Sequence, residues 1–154
     1  MTAAGHDCSF LADLVPEERV AFDEGTRESR AADFGAGEID RGVVPDAVVR
    51  PESTDEVSAV LAAANDRGVP VTPYAAGSGL EGGAVPVERG ISLDLTRMDA
   101  ILDVRPDDFQ VDVQPGVIGD VVDEAVAGDG LFFPPLPSSG ELASVGGMIA
   151  TDAS

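Results

Sequence analysis

Gly77-Ser78-Gly79-Leu80-Glu81-Gly82, followed by Gly83-Ala84-Val85-Pro86, is the densest run of glycine in the chain. It matches the G-x-G-x-x-G dinucleotide fingerprint letter for letter, and Asp103 stands about 20 residues further on, where that fingerprint asks for an acid to meet a ribose. The mechanism behind the fingerprint needs its third glycine inside a helix whose N-terminus faces the pyrophosphate. Here Gly82-Gly83, with Pro86 close behind, defeats the first turn of such a helix. A Walker A loop is excluded too, because no Gly-Lys-Ser/Thr follows the glycines. What remains is a loop between strands. Gly77, Gly79, Gly82 and Gly83 let its backbone turn N–H groups toward an anion, a nest that needs neither lysine nor a helix dipole. A flexible surface turn of the same composition is the bland alternative.

Working outward, the elements alternate quickly. Ala47-Val48-Val49-Arg50 reads as a short strand stopped by Pro51, which has no ladder donor. Ser53-Thr54-Asp55-Glu56 is a capping box, and Val57, Val60, Leu61 and Ala64 recur at helical spacing behind it, so a helix is expected up to Gly68. Val69-Pro70-Val71-Thr72-Pro73 runs on as an extended segment. Downstream of the glycine loop, three segments read as strands: Ile91-Ser92-Leu93-Asp94, Ile101-Leu102-Asp103-Val104 and Phe109-Gln110-Val111-Asp112-Val113. Gly116 opens a second helical pattern carried by Val117, Val121, Val122, Ala125 and Val126, which runs out at Gly128-Asp129-Gly130. Phe132-Phe133-Pro134-Pro135 and Gly146-Gly147 read as a loop-rich end. Residues 1–45 form a lead-in, partly helical or disordered, with an amphipathic stretch at 10–15 and a charged region around Gly35 and Gly37; no chemistry is legible in it.

Composition narrows the function classes. The 154 residues, 44% apolar and 5% aromatic, supply one domain with a core built mainly of small side chains. A formal charge of −20 repels nucleic-acid phosphates and anionic lipid headgroups, so neither is expected as a partner. The acids are scattered along the chain and all nine basic residues are arginine, a pattern like that of proteins from salt-loving archaea. Cys8, the only cysteine, cannot form an internal disulfide, and with the only histidine, His6, it supplies too few ligands for a structural zinc. His6 is expected in a disordered tail and is not read as a catalytic base. No run of 18 apolar residues and no signal-peptide pattern occurs, so the simplest expectation is a cytoplasmic protein with no membrane insertion.

Three motifs in order carry a resemblance: Pro73-Tyr74-Ala75-Ala76-Gly77-Ser78-Gly79-Leu80-Glu81-Gly82, then Gln114-Pro115-Gly116, then Phe132-Phe133-Pro134-Pro135-Leu136-Pro137-Ser138-Ser139 leading to Ala143-Ser144-Val145-Gly146-Gly147-Met148-Ile149-Ala150-Thr151-Asp152-Ala153-Ser154. Over residues 48–154 the chain resembles the FAD-binding (PCMH-type) domain of the vanillyl-alcohol oxidase and p-cresol methylhydroxylase superfamily, most of all its glycolate oxidase subunit and D-lactate dehydrogenase branch. The resemblance implies an α+β fold, with a lead-in at 1–45 and an FAD-binding domain at 46–154 that is incomplete at its C-terminus: a first subdomain and the beginning of a second, with FAD between them. It also implies that Ala76, Gly77, Ser78, Gly79, Leu80 and Gly82 hold the diphosphate, and that Pro135, Ser138, Ser144, Gly146 and Gly147 line the flavin and diphosphate side of the cleft.

The departures from the family pattern are informative. Ala75 stands where the family often has glycine, Leu136 where many members have aspartate, and Asp152 and Ser154 where asparagine and glycine are usual. Asp152 adds a negative charge near the diphosphate. Gly83 occupies the position from which some relatives attach the flavin through histidine, so FAD is expected to be non-covalent. The family's substrate residues lie further along than Ser154, so no catalytic residue is assigned. Three readings stand at this point: part of a flavin-dependent oxidoreductase of 2-hydroxy acids such as D-lactate or glycolate, completed by a separate C-terminal half or subunit; a non-catalytic nucleotide-binding module; or an inactive fragment.

Scattered acids at −20 repel one another, and screening shortens from about 10 Å at 0.1 M salt to about 3 Å at 1 M, so the compact state is expected to gain stability across that range. Circular dichroism against temperature measures this. Identical melting curves at low and molar salt would show that the acids do not oppose compaction.

Overall fold

In a computed structural model that describes residues 5–35 and 43–153, a four-stranded sheet carries the first part of the chain. Its strands are β1 (Val20–Ala21), β2 (Ala47–Val49), β3 (Val71–Tyr74) and β4 (Ile91–Asp94), in the order β1-β2-β4-β3. β4 pairs parallel with both β2 and β3, while β1 runs antiparallel on the outer side of β2. β2 and β3 run parallel with β4 between them, and helix α2 (Thr54–Arg67) makes the crossover that joins them. β2 and β4 are buried at every position, as inner strands must be. β3 lies at the edge, which is where Pro73 can sit without breaking a ladder.

The Ser53 cap forms as the sequence predicts, while the reciprocal bond of the capping box falls one residue early, on Glu52 instead of Ser53. Ser53 Oγ accepts the Glu56 N–H at 3.2 Å, and the Glu56 carboxylate reaches back to the Glu52 N–H at 2.7 Å. Gly68 closes the helix at φ 62°, and the Val69 N–H returns to the Ala64 carbonyl at 2.9 Å. Val60 and Ala64 face the core, but Leu61, expected on the same face, is 44% exposed. The core under α2 is also filled from the lead-in: Cys8, Leu11 and Val15 pack with Ala47, Val49, Val60, Ile91 and Leu93.

The second part is smaller. β5 (Ile101–Arg105) and β6 (Gln110–Val113) form an antiparallel hairpin, and helices α3 (Gly119–Ala127) and α4 (Val145–Thr151) close over Val117, Val122, Ala143, Val145 and Met148. α3 starts three residues later than the helical pattern from Gly116 suggested, because Gly116 is held in a turn by its N–H bond to the Met98 carbonyl. Gly146-Gly147, read as loop, lies inside α4 because Ser144 Oγ caps its first turn.

Two further expectations are corrected. His6 is not in a disordered tail: its N–H and Nδ1 meet Asp46 Oδ2 at 2.9 and 3.1 Å, beside Arg89 and the Gly90 N–H. The described residues of the lead-in, 5–35, include a 3-10 turn at Ser9–Asp13 and a short helix, α1 (Glu24–Glu28), and Cys8, Leu11 and Val15 join the first core; Gly37 and Ser154 lie outside the described residues. Gly90, which as a turn glycine outside the motif is expected to accept alanine, does not: its φ is +68° and a Cβ there would collide with the Pro70 carbonyl.

Arg19, 7% exposed, ties the lead-in to α2 through two bonds to the Glu56 carboxylate at 2.8 and 2.6 Å. The Arg19 guanidinium, with the Glu52 N–H, holds the Glu56 carboxyl below its ordinary value of 4.5. A carboxyl depressed on folding stabilises the fold fully above its unfolded value and loses that contribution as pH falls through the folded one. Glu56→Gln is therefore expected to melt lower at neutral pH, with the gap from the parent narrowing below pH 4.5. Thermal midpoints across that range check it; a gap that stays constant with pH would assign the loss to packing instead.

Candidate cofactor site

The glycine loop leaves the sheet at the C-terminal end of β3, the edge of a parallel sheet at which ligands collect. No helix follows it; the next element is β4, as the glycines and Pro86 require. Gly77 and Gly82 adopt φ +65° and +77°, a region that a side chain resists. Gly79 and Gly83 are not among the positive-φ residues. At Gly77 a Cβ would collide with the Tyr74 hydroxyl. Ala76, Gly79, Leu80 and Gly82 are exposed, with Gly77 and Ser78 half-buried.

The donor set of this loop fits an anion. The Gly82 N–H already holds a carboxylate oxygen, Asp33 Oδ2, at 2.7 Å. The N–H groups of Ser78, Gly79 and Leu80 donate to no acceptor among the described residues. A diphosphate takes such backbone donors without needing a cation.

Beneath the loop lies a buried ion cluster. Asp94, at the end of β4 and 0% exposed, accepts Arg30 Nε and Nη2 at 3.0 and 2.9 Å, Arg50 Nε at 3.3 Å, and the Thr96 N–H and hydroxyl at 3.0 and 2.6 Å. Arg30 also stacks on the Tyr74 ring, 4.5 Å from its centroid. Sequence reading missed Arg30, Asp33 and Asp94. Only the acid that ends the short strand Ile91-Ser92-Leu93-Asp94 hinted at the cluster.

The second and third motifs meet each other. The Gly146 N–H donates to the Pro115 carbonyl and the Val145 N–H to the Val117 carbonyl, both at 2.8 Å, and Ile118 bridges Ser144. A Cβ on Gly146 would lie 2.8 Å from Pro115 Cβ, so this glycine permits close packing of α4 on the Gln114-Pro115-Gly116 turn. Ser144, 2% exposed, uses its hydroxyl to cap the Gly147 N–H at 3.3 Å. Pro135 and Ser138 are exposed in the loop before α4. Asp152 ends α4 at φ 52°, a left-handed position that asparagine and aspartate tolerate better than most residues. Among the described residues, no hydrogen bond joins this group to the glycine loop.

Other candidates find different places. Asp103 is paired with Arg105 on the exposed hairpin, in a different sheet from the loop. Cys8 is buried, and burial, with Asp46 and Asp7 nearby, pushes its thiol up to about 11. A shallow cleft of about 550 Å³ lies between His6, Asp7, Phe10 and Arg67, and contains no residue of the glycine loop. Among the described residues no helix is long and apolar enough to cross a membrane.

Comparison with known proteins identifies the family and the fold. The chain is 41% identical over 106 residues to the glycolate oxidase subunit GlcD of Bacillus subtilis, covering 69% of this chain and 23% of that protein. It is 36% identical over 146 residues to a probable mitochondrial D-lactate dehydrogenase of Danio rerio, covering 95% of this chain and 28% of that one. The chain thus spans about a quarter of the length of these relatives. Among solved structures, alkyldihydroxyacetonephosphate synthase superposes with a TM-score of 0.85 at 25% identity, over 99% of this chain and 33% of that one. p-Cresol methylhydroxylase shares the fold, with a TM-score of 0.67 at 22% identity over 80% of this chain and 24% of that one. These neighbours bear out the expected α+β, PCMH-type fold. The model of the FAD binding domain matches residues 45–154, and the chain belongs to that family, with FAD as its cofactor.

Proposed function

We propose that the chain supplies the diphosphate-binding part of a flavin-dependent oxidoreductase acting on a 2-hydroxy acid such as D-lactate or glycolate. The observation that carries this reading is the run of backbone donors at Ser78, Gly79 and Leu80, offered at the C-terminal end of a parallel strand and engaged by no acceptor among the described residues. The substrate class rests on the relatives, named as glycolate oxidase subunit and D-lactate dehydrogenase. FAD, when bound, supplies a two-electron acceptor, and the protein's part is to bind and orient it. In this reading Gly77 and Gly82 turn the loop, Ala76 and Leu80 flank it, and the donors of residues 78–80 hold the diphosphate. Pro135, Ser138, Ser144, Gly146 and Gly147 line the flavin and diphosphate side of the cleft. Gly83 offers no side chain for a covalent link, so FAD is held non-covalently.

Phe132, Leu142 and Ile149 are 72, 54 and 78% exposed around α4. Exposed apolar side chains of this size support completion of the cleft by a separate C-terminal half or subunit. The cytoplasm is the proposed location. For the chain alone, weak FAD binding is expected, because one wall of a cleft leaves much of the ligand in water. Calorimetry giving sub-micromolar affinity would show instead that residues 1–154 form a complete site.

The glycine loop is tested with the chain joined to the rest of the flavin domain. Gly82→Val forces a branched residue to φ +77°, at about 1–3 kcal/mol, and Gly79→Val adds bulk beside the Asp33 carboxylate, 3.8 Å from where the Cβ would lie. Both are expected to lose flavin, read as absorbance after desalting. Gly128→Ala, at a helix end with open space and ordinary φ, is expected to keep it. Equal flavin in all three would make the loop a surface turn.

A further inference from the structure

Residues 30–35 lie along the glycine loop. The Phe34 N–H donates to the Gly77 carbonyl at 2.8 Å, and the Gly35 N–H to the Gly79 carbonyl at 3.1 Å. The Gly82 N–H returns a bond to Asp33 Oδ2 at 2.7 Å. Asp33 is 8% exposed, and Gly35 is the residue that permits the approach: a Cβ there would sit 2.6 Å from the Leu80 Cα. Arg30 anchors the same segment through Asp94 and Tyr74.

These contacts determine where the loop's donors point. Every described peptide is trans and planar, so an N–H points opposite to the carbonyl of the preceding residue. With the Gly77 and Gly79 carbonyls turned onto residues 34 and 35, the N–H groups of Ser78 and Leu80 must face the other way. The Asp33 carboxylate then pins the far end of the loop at Gly82, where the chain doubles back at φ +77°. A charged acceptor makes that the strongest of the three bonds.

We propose that residues 33–35 are a brace for the cofactor loop, and that Asp33 is a positioning residue for FAD, acting through Gly82 to hold the Ser78 and Leu80 donors toward the diphosphate. The inference rests on the loop being the diphosphate site. It gives the lead-in, which precedes the matched residues 45–154, a direct part in cofactor binding.

The test uses the isotope-labelled full chain in molar salt, titrated with FAD and followed by amide shifts, with amide exchange at Gly82 and far-UV circular dichroism as readouts of loop and fold. Asp33→Ala is expected to keep the fold, lose Gly82 protection and weaken FAD about tenfold, equivalent to about 1.4 kcal/mol. Asp33→Asn keeps an acceptor oxygen and is expected to restore most of both. Gly35→Ala is expected to weaken FAD as well, and carries the test if Asp33→Ala fails to fold. Asp107→Asn, in an exposed turn, is expected to match the parent. If the Ser78 and Leu80 amides do not shift with FAD in the parent, the loop is not the diphosphate site, and the brace falls with that reading. If they shift and both Asp33→Ala and Gly35→Ala bind like the parent, the brace alone is overturned. Tighter binding by Asp33→Ala would also overturn it, since the carboxylate would then be a competitor for the anion site.

Discussion

A carboxylate with no access to water organises this fold. Burying the charge of Asp94 costs several kcal/mol unless it is paired and fully hydrogen-bonded, and its partners come from three separate parts of the chain: Arg30 in the lead-in, Arg50 after β2 and Thr96 after β4. Satisfying one side chain therefore draws the lead-in and the ends of two strands to one point. That point is the C-terminal edge of the parallel strands. From there Arg30 stacks on Tyr74, and the Tyr74 hydroxyl lies against Gly77, so the buried cluster and the glycine loop form one continuous set of contacts.

Small side chains shape the rest. Much of the first core is alanine and valine, and it is completed only when Cys8, Leu11 and Val15 pack onto the sheet. Burial pushes the Asp46 carboxyl up, but bonds from the His6 N–H, Arg89 and the Gly90 N–H outweigh it and hold the group below 3.8. The lead-in is thus held by apolar packing, by Asp46 and by Arg19. In the second part, glycine does the equivalent work: Gly116 and Gly146 let backbones approach so closely that α4 rests directly on the turn before α3.

Membership of the FAD binding domain family gives these features a common sense. The loop differs from a Rossmann turn in having no helix behind it, so no helix dipole faces the phosphates. In the proposed brace, orientation of individual peptides by residues 33–35 takes the place of that dipole. On that proposal, a chain of charge −20 with no lysine presents the partial positive charge of backbone N–H groups to the cofactor's diphosphate.

The local elements were legible in the sequence because their causes are local. The Ser53 cap, the Gly68 stop, the short strands and the lack of a helix after Gly82 all follow from a few adjacent residues. The family was legible for a related reason: three spaced motifs record backbone shapes that few other residues permit. The register of Asp94 with its arginines, the ordering of His6 by Asp46, the exposure of Leu61 and the docking of residues 33–35 were not legible. Each joins residues more than 30 positions apart, or depends on which side of α2 finds a partner. Such pairings are decided by burial, because only the packed chain removes water from a carboxylate and makes a distant arginine or N–H the necessary replacement.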